Sequence, residues 1–172
     1  MNEEIIIRKA KEEDFKQLHK LIMQVHKIHV EERSDMYKNV DPLNFEEFKN
    51  ELLDTNNIYL VAEIDKKVVG LCFSQIKKIS NNKIMKDREI LNISDICVDK
   101  DERRKGIGKK LYSQVLQIGK EKNMDSIELM VWRFNKNAIK FYEKIGMNVK
   151  NLRFEQKIKW LCWQSYQNVV IC

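Results

Sequence analysis

The sequence predicts an α/β protein with a mixed, mostly antiparallel sheet flanked by about four helices. Three observations support this fold class: helical apolar spacing in four segments, alternating or continuous apolar runs between them, and a strand-helix-strand order in the second half. The chain has 172 residues, 43% hydrophobic and 34% charged, which fits one globular domain with its own core. We place that domain at residues 1–158, followed by a C-terminal extension at 159–172.

The first quarter of the chain predicts one strand and two helices. Ile5–Arg8 is a β-branched run that favours a short strand. Apolar residues at helical spacing predict an amphipathic helix from about Glu12 to Val30. Pro42 breaks this pattern, and Asn44 is expected to cap a second helix that carries Phe45, Phe48, Leu52 and Leu53.

The middle of the chain predicts strands. Residues alternate from Asn57 onward, Asp65-Lys66-Lys67 predicts a turn, and Val68–Ile76 continues as the second strand of an antiparallel hairpin. Ile90–Val98 is a mostly apolar run, typical of a central strand. Its polar interruptions, which are unusual in a buried strand, are Asn92, Ser94 and Asp95.

The second half alternates helices and strands. A helix is expected from Ile107 to about Asn123, a strand at Ser126–Val131 and a helix at Asn135–Lys144, with Gly146 as its left-handed cap. Val149–Ile158 alternates loosely and predicts one strand or a tight pair. The order implies a crossover between parallel strands, with helices on the faces of the sheet.

Composition and charge argue against several classes of protein. No apolar run approaches the ~20 residues that a membrane span needs, and the acidic start at Met1-Asn2-Glu3-Glu4 does not resemble a secretory leader. The net charge is +6, but the 32 Lys and Arg are interspersed with the 26 Asp and Glu, whereas a nucleic-acid-binding protein normally shows a basic stripe. We therefore expect a cytoplasmic protein that binds neither membranes nor nucleic acid.

The cysteines and histidines do not predict a metal site. Cys72, Cys97, Cys162 and Cys172 contain no C-x-x-C pair, so we interpret them as free thiols. His26 and His29 lie three residues apart on the first predicted helix, but no third ligand has a suitable spacing. We expect these two histidines to line a cleft or to face water.

The strongest local concentration of charge is the loop from Asp101 to Lys110, which holds two glycines and five cations. Glycines between a strand and a helix let a ligand approach the backbone, and the start of the helix offers N–H groups to an anion. The loop is neither a P-loop, because no glycine precedes Gly108 by five positions, nor a dinucleotide motif, because Leu111 replaces the third glycine. An ordinary solvated loop is the alternative interpretation.

Two motifs in order resemble the GNAT superfamily of acetyl-CoA-dependent N-acetyltransferases. Arg103-x-x-Gly106-x-Gly108 is similar to the family's pyrophosphate loop, Q/R-x-x-G-x-G/A. The second motif, similar to the family's C-terminal helix, is Asn135-x-Asn137-Ala138-x-x-Phe141-Tyr142-x-x-x-Gly146-Met147. The resemblance covers roughly Ile5 to Ile158 and implies a GNAT-like fold, with acetyl-CoA and an amine acceptor as partners and with no metal.

The resemblance also implies roles for particular residues. Backbone N–H groups from Arg104 to Lys109 are expected to hold the CoA pyrophosphate, the end of the central strand to pair with the pantetheine arm, and Asn135 to hydrogen-bond that arm. Tyr142 is expected to protonate the departing thiolate. The implied cofactor contacts are Ile96, Cys97, Val98, Arg103, Arg104, Lys105, Gly106, Ile107, Gly108, Lys109 and Asn135.

The sequence does not determine which group acts as the general base. The resemblance implies direct acetyl transfer in a ternary complex, which needs a deprotonated amine. Some family members carry a glutamate base where this chain has Met130, and others carry one where it has Asn92. The remaining alternatives are Glu128, Asp95, or a water held by Asn92 and Ser94. Without the usual glutamates, a catalytically weak acyl-CoA sensor or interaction module of the same fold is the alternative function.

The acceptor and the tail are not determined by the sequence. Glu31, Glu32 and Asp35 follow the first helix and could attract a cationic amine, although a charged loop is usually only solvated. For the tail at 159–172, three alternatives stay open: packing on its own domain, completing a partner's sheet in a homodimer, or no native structure. Cys97 fits a small buried hydrophobic residue better than an acyl acceptor.

Overall fold

A computed structural model describes residues 4–158 of the chain. Within them lie four α-helices, two short 3-10 turns and five strands. In chain order these are β1 (Ile6–Lys9), a 3-10 turn (Glu12–Asp14), α1 (Phe15–Glu32), α2 (Phe45–Leu53), β2 (Asn57–Ile64), β3 (Lys67–Ile79), β4 (Arg88–Val98), a 3-10 turn (Lys100–Glu102), α3 (Ile107–Glu121), β5 (Ser126–Leu129) and α4 (Lys136–Lys144). None of the helices in this part of the chain is long and apolar enough to cross a membrane.

The five strands of the described residues form one sheet in the order β1-β2-β3-β4-β5. Neighbours from β1 to β4 are antiparallel, whereas β4 and β5 are parallel. Parallel neighbours need a crossover connection, and α3 supplies it. The predicted fold class, with its mixed and mostly antiparallel sheet and four helices, is confirmed.

Three predictions about turns and caps are also confirmed. The side-chain oxygen of Asn44 caps α2 by accepting a hydrogen bond from the Glu46 N–H at 2.8 Å. Asp65 and Lys66 both have positive φ, 47° and 63°, in the two-residue turn between β2 and β3. Gly146 follows α4 with a φ of 94°, a conformation that favours glycine.

The sheet is covered on both faces. On one face α3 and the sheet together form a cluster made of Ile58, Leu60, Ala62, Ile64, Val69, Cys72, Leu91, Ile93, Ile107, Leu111 and Val115. On the other face α1 and α2 pack against a cluster made of Leu18, Leu21, Phe48, Tyr59, Val61, Val68, Leu71 and Cys97. Because both faces of β2 are buried, its sequence is almost continuously apolar.

A β-bulge at Ser94 determines which face the end of β4 presents to α1. Asp95 lies opposite Phe73, and Ile93 lies opposite the very next residue of β3, so that Ser94 is the extra residue. Ile93 packs on the α3 side, whereas Cys97 packs on the α1 side. A regular strand would place residues 93, 95 and 97 on one face. The bulge therefore turns Asp95 away from the α3 side.

The described residues fall into two compact units, one that ends at Lys136 and one that begins at Asn137. The first unit contains the sheet and α1 to α3. The second contains α4 from Asn137 onward and the segment that follows it. The single domain at residues 1–158 stays a prediction, and the extension at 159–172 lies outside the described residues.

The predicted strand at Val149–Ile158 is wrong, because residues 149–158 form no strand. The apolar side chains that suggested it stay exposed, with 73% of Leu152 and 88% of Phe154 accessible to solvent. Alternation alone does not make a strand: the segment also needs a neighbouring strand and a layer that covers its apolar side. Residues 149–158 bury none of their apolar side chains.

Candidate active site

The start of α3 presents backbone N–H groups at an open surface. Gly106 is the N-cap, in the left-handed conformation with a φ of 84°, and none of the described side chains caps the helix. The Lys110 N–H donates to the Gly106 carbonyl at 3.1 Å, so the N–H groups of residues 107–109 precede the first helical hydrogen bond. A Cβ at Gly106 would meet no atom within 4 Å. Free N–H groups at the positive end of a helix suit an anion such as pyrophosphate.

The cations of this loop are held in different ways. The Nε of Arg103 donates to the Val98 carbonyl at 3.2 Å, which ties the loop to the end of β4. The Nζ of Lys105 lies 2.7 Å from a carboxylate oxygen of Glu102. Arg104 is exposed and has a φ of 68°, which is uncommon for a residue other than glycine. The loop therefore keeps a well-defined shape while its guanidinium groups stay at the surface.

A groove of about 470 Å³ runs beside the start of α3. It is lined by Ile7, Gly106, Lys109, Lys110, Ser113, Gln114 and Gln117, two of which are lysines. The Nζ of Lys110 donates to the Ile5 carbonyl at 3.3 Å, at the edge of β1. The groove thus joins two lysines of the loop to uncharged polar side chains further along α3.

One edge of β4 is open next to this loop. Parallel pairing between β4 and β5 ends where Ile93 lies opposite Leu129. None of the described strands pairs with residues 94–98 on that side, while β3 still pairs with residues 95–98 on the other. An extended ligand can hydrogen-bond to such an edge as an added strand. Ile96, Cys97 and Val98 all lie on this open stretch.

Asn135 and Tyr142, the two residues of the second motif with predicted roles, lie in different units. Asn135 lies in the first unit, where its N–H donates to the Trp132 carbonyl at 2.9 Å. Tyr142 lies in the second unit, half-buried, with its ring 5.3 Å from that of Phe141 in an edge-to-face contact. The Met147 N–H donates to the Tyr142 carbonyl at 3.0 Å and closes the end of α4. The roles of Asn135 and Tyr142 stay predictions.

A second cavity, of about 250 Å³, lies on the α1 side of the sheet within the first unit. We call it the α1 cavity and define it by its lining residues, which are Ile22, Val25, His26, His29, Pro42, Leu43, Glu51, Tyr59, Leu71, Phe73 and Asp95. Most of the wall is apolar or aromatic, and the rings of Tyr59 and Phe73 stack at 4.1 Å between centroids. The histidines at 26 and 29 thus line a cleft, one of the two predicted arrangements.

Asp95 brings a half-buried carboxylate into the α1 cavity. Among residues 4–158 its side chain has no hydrogen bond and no salt bridge. Burial raises the pKa of Asp95 above that of an ordinary aspartate, and the charge of His29 opposes this shift in part. A carboxylate in this condition accepts a proton more readily than an exposed one.

His29 joins the α1 cavity to an aromatic cluster. Its ring stacks on Tyr37 at 4.9 Å and meets Phe134 edge-on at 6.2 Å. The Nε1 of Trp132 donates to the Tyr37 hydroxyl at 3.1 Å. Burial lowers the pKa of His29, although the charge of Asp95 acts in the opposite direction. Burial thus favours the neutral form of the imidazole.

Glu128, the other carboxylate that the sequence offered as a base, is engaged in the sheet. Its Oε1 accepts hydrogen bonds from Arg88 at 3.1 Å and from the Ser126 hydroxyl at 3.0 Å. These contacts connect β4 to β5. The Nδ2 of Asn92 lies 3.5 Å from the Ser94 hydroxyl, at the outer limit of a hydrogen bond. Of the two carboxylates considered, Asp95 is the one that faces a cavity.

Cys97 is not placed to act as a nucleophile. Its side chain is buried on the α1 side, and its Sγ donates to the Leu21 carbonyl at 3.4 Å. Burial raises the pKa of the Cys97 thiol to about 12. Since the thiolate is the reactive form, the thiol is inert at neutral pH. The interpretation of Cys97 as a small buried hydrophobic residue is confirmed.

The acidic residues suggested as attractants for the amine lie elsewhere. Asp35 accepts a hydrogen bond from Arg33 at 2.9 Å, and a carboxylate oxygen of Glu31 lies 3.8 Å from the Nζ of Lys27. Neither residue, nor Glu32, lines the α1 cavity. The carboxylates that do line it come from α2 and β4.

Sequence reasoning missed the cavity residues Glu51, Tyr59 and Phe73. Strand register brings the last two together with the site, because Tyr59 lies opposite Phe73 and Phe73 lies opposite Asp95. The Tyr59 hydroxyl then donates to the Glu51 carboxylate from α2. Alternation could have placed Tyr59 on one face of its strand, but no local pattern indicates these neighbours.

The geometry agrees with comparison to known proteins. The chain matches the model of the acetyltransferase (GNAT) family over residues 23–147, a span that includes the α3 loop and α4. This match covers well over half of the chain, which therefore belongs to the acetyltransferase (GNAT) family. The predicted family is thus confirmed.

Two relatives with curated descriptions are named as N-acetyltransferases. An uncharacterized N-acetyltransferase of Methanocaldococcus jannaschii is 34% identical over 94 residues, which are 55% of this chain and 40% of that protein. The probable N-acetyltransferase camello of Xenopus laevis is 30% identical over 95 residues, with the same shares of the two chains. The matched part of this chain thus spans 40% of the length of each of these relatives.

Two solved structures share the fold over almost their full length. The tetramutant of the BH1408 protein from Bacillus halodurans has a TM-score of 0.86 and 30% identity, covering 89% of this chain and 99% of that one. An aminoglycoside N-acetyltransferase in complex with CoA has a TM-score of 0.73 and covers 91% of this chain and 97% of its own. At 16% identity, the second likeness shows the fold alone.

Proposed function

We propose that the chain is an acetyl-CoA-dependent N-acetyltransferase that transfers the acetyl group directly to a primary amine in a ternary complex. The observation that carries this proposal is the open edge of β4 at residues 94–98, which leads through one short loop to the uncapped start of α3. Family membership and the names of the relatives support the same activity. The expected cytoplasmic location and the expected independence from membranes and nucleic acid stay predictions.

The residues at this edge and loop fit acetyl-CoA as a substrate. N–H groups of residues 107–109 would bind the pyrophosphate, with Arg103, Arg104 and Lys105 around it. The backbone of residues 96–98 would pair with the amides of the pantetheine arm, and Asn135 would add a side-chain hydrogen bond. The open space at Gly106 supports this placement. Bound acetyl-CoA supplies a thioester that a neutral amine can attack.

The protein's own groups have three tasks in this reaction. They take a proton from the amine, donate hydrogen bonds to the tetrahedral oxyanion, and protonate the departing thiolate. We assign the third task to the Tyr142 hydroxyl on α4. A covalent enzyme intermediate is unnecessary, in agreement with the inert thiol of Cys97.

The test pairs two tyrosine variants, Tyr142→Phe and Tyr112→Phe. Calorimetry measures CoA affinity, and thiol release from acetyl-CoA measures turnover over a panel of primary amines. We expect Tyr142→Phe to bind CoA normally and to lose about 10²–10⁴-fold in the chemical step. Tyr112 is half-buried on α3, so Tyr112→Phe controls for the loss of a hydroxyl. A chain that does not bind CoA would contradict the proposed function, and Tyr142→Phe turnover within about twofold of wild type would remove Tyr142 from the mechanism.

One alternative has a specific observation in its favour. Met130, which the resemblance aligns with a glutamate base of some family members, is 90% exposed, and Glu128 is paired with Arg88. A chain that binds acyl-CoA as a sensor or interaction module would not need a base. CoA affinity without acetylation of any amine in the panel would favour this second function.

A further inference from the structure

The α1 cavity contains a carboxylate without a counter-charge. Asp95 is half-buried there, and among the described residues its side chain has no hydrogen bond or salt bridge. No lysine or arginine of residues 4–158 lines the cavity. A carboxylate removed from water is costly unless a cation or several hydrogen-bond donors compensate it. A positively charged ligand can therefore compensate the Asp95 carboxylate.

None of the other titratable groups of the cavity forms a hydrogen bond or a salt bridge with Asp95 among the described residues. Burial lowers the pKa of His29, on α1, and so disfavours its charged form. His26, also on α1, lies beside the Lys38 carbonyl, with its Nε2 3.0 Å from that oxygen. On the sides of α2 and β2, the Glu51 carboxylate already accepts the hydrogen bond of the Tyr59 hydroxyl. Of the two carboxylates that line the cavity, that of Asp95 is the one without a hydrogen bond from the described residues, and it is the more open to a cation.

The remaining wall suits an apolar body. Ile22 and Val25 of α1 face the sheet, where Leu71 and the stacked rings of Tyr59 and Phe73 lie. At about 250 Å³ the cavity is smaller than the 300–1,000 Å³ typical of pockets for drug-sized ligands. Aromatic faces also attract an ammonium group when it is removed from water. The cavity therefore combines room for a small molecule with one carboxylate, that of Asp95, that no described group pairs.

We infer that the α1 cavity binds the amine acceptor as a small primary monoammonium ion with an apolar body, and that Asp95 holds the ammonium group and takes its first proton. This inference rests on the proposed function. It predicts that polycationic aminosugars are poor acceptors, because the other carboxylate of the cavity, that of Glu51, already accepts the hydrogen bond of the Tyr59 hydroxyl, which a further ammonium group would have to displace.

The proton balance of the reaction is simple. The ammonium gives one proton to the Asp95 carboxylate, and the nitrogen lone pair then forms a bond to the acetyl carbon. The carbon-sulfur bond breaks, and the nitrogen loses a second proton as the amide forms. Of the two protons released, one ends on the CoA sulfur and one in water. No oxidant, reductant or metal is required.

Asp95→Asn removes the charge and preserves the shape of the side chain. We expect the KM for n-pentylamine to rise by about 10- to 100-fold, kcat to fall as well, and CoA affinity in calorimetry to stay unchanged. Asp65→Asn is the matched control, because it removes the same charge from the exposed turn between β2 and β3, where asparagine tolerates the positive φ. Thermal melting of both variants verifies that they are folded.

A matched pair of substrates tests the preference for one charge. n-Pentylamine and 1,4-diaminobutane have equal numbers of heavy atoms and differ in one terminal group. We expect kcat/KM to favour n-pentylamine by about tenfold or more. His26→Glu adds a third carboxylate to the cavity wall, beside those of Glu51 and Asp95, and we expect it to shift this ratio toward the diamine by about tenfold.

The outcomes separate the inference from the proposed function. If amines are acetylated but Asp95→Asn behaves like Asp65→Asn, or the diamine is preferred by the wild type, the inference is wrong and the proposed function stands. If no amine releases thiol from acetyl-CoA, the proposed function is wrong. Calorimetry of n-pentylamine with the CoA-loaded chain then still tests whether the α1 cavity binds the amine through Asp95. Binding by the wild type that is lost in Asp95→Asn supports this binding. Equal behaviour of the two proteins overturns it.

Discussion

The α3 loop and the α1 cavity are opposite in almost every physical property. Residues 103–109 are contiguous in sequence and mostly exposed, and they offer cations and backbone N–H groups. The cavity residues come from α1, the segment before α2, α2 and three strands, and they offer carboxylates and aromatic rings. A phosphate fits the first region and an ammonium group fits the second. The first unit thus separates its two expected ligands by charge and by burial, so variants in one region should leave the other ligand's affinity unchanged.

Among variants that should change the affinity for one ligand only, we expect the largest effect from Gly106→Val. A valine at a φ of 84° is strained, and its side chain would occupy the open space over the loop, where we place the pyrophosphate. We expect CoA affinity to fall about 100-fold or more, which corresponds to the loss of one or two charge-assisted hydrogen bonds. Calorimetry with CoA measures this effect.

Gly119→Ala is the control for a changed glycine in the same helix. A Cβ at Gly119 would lie 3.7 Å from Ile127, an ordinary contact, so this variant should bind CoA as the wild type does. Binding of n-pentylamine, measured without CoA, should survive Gly106→Val. Unchanged CoA affinity in a folded Gly106→Val would show that the loop is only a solvated turn.

The next effect concerns the support of α1, which forms one wall of the cavity. Asp14, before α1, accepts two hydrogen bonds from Arg8 at 2.7 and 2.8 Å and one from the Lys11 N–H. We expect Asp14→Asn to reduce the free energy of unfolding by about 2 kcal/mol at pH 7, less than for a pair broken completely, because Arg8 keeps its contact with Glu63. Urea unfolding measures this change.

The pH dependence of that loss has a definite sign. Burial alone would raise the pKa of Asp14, but the hydrogen bonds from Arg8 and Lys11 dominate and hold it below the ordinary value. The stabilising contribution is therefore complete above the unfolded pKa of about 4 and disappears as the pH falls through the lower folded value. The difference between wild type and Asp14→Asn should shrink in acid. A difference that grew in acid would contradict this assignment.

The two regions also differ in how much of them the sequence predicts. Gly106 and Gly146 occupy backbone conformations that glycine favours, so local patterns predicted their places correctly. The polar residues in the run Ile90–Val98 were visible too, but the face that Asp95 presents depends on the bulge at Ser94. A bulge is decided by pairing with β3, which is distant in sequence. The cavity therefore needed the structure, whereas the loop did not.

A smaller effect is expected at the cations of the loop. Arg104 is exposed, and its partner in our proposal is a phosphate, so Arg104→Ala should weaken CoA binding about tenfold at low salt and less at high salt. Lys120→Ala, which removes a cation from the last turn of α3, is the control and should leave CoA affinity unchanged. Equal affinities at both salt concentrations for wild type and Arg104→Ala would place the guanidinium away from the phosphates. Amine affinity should be unaffected in either variant.

The smallest effect distinguishes the two carboxylates that the sequence offered as bases. Glu128 is held by Arg88 and Ser126 between β4 and β5, whereas Asp95 faces the cavity without a partner among the described residues. Glu128→Gln keeps the shape of the side chain and removes its charge. Because the Arg88 pair is partly exposed, the free energy of unfolding should fall by about 1 kcal/mol or less.

Turnover with n-pentylamine should stay within about twofold of wild type in Glu128→Gln, since a residue that supports the sheet does not move the proton. The comparison with Asp95→Asn is made on kcat/KM over a range of pH. A variant that merely weakens the sheet lowers the melting temperature and leaves the shape of the pH profile unchanged. If Glu128→Gln instead lost the acidic limb of that profile at an unchanged melting temperature, the proton acceptor would be Glu128, between β4 and β5, and not Asp95.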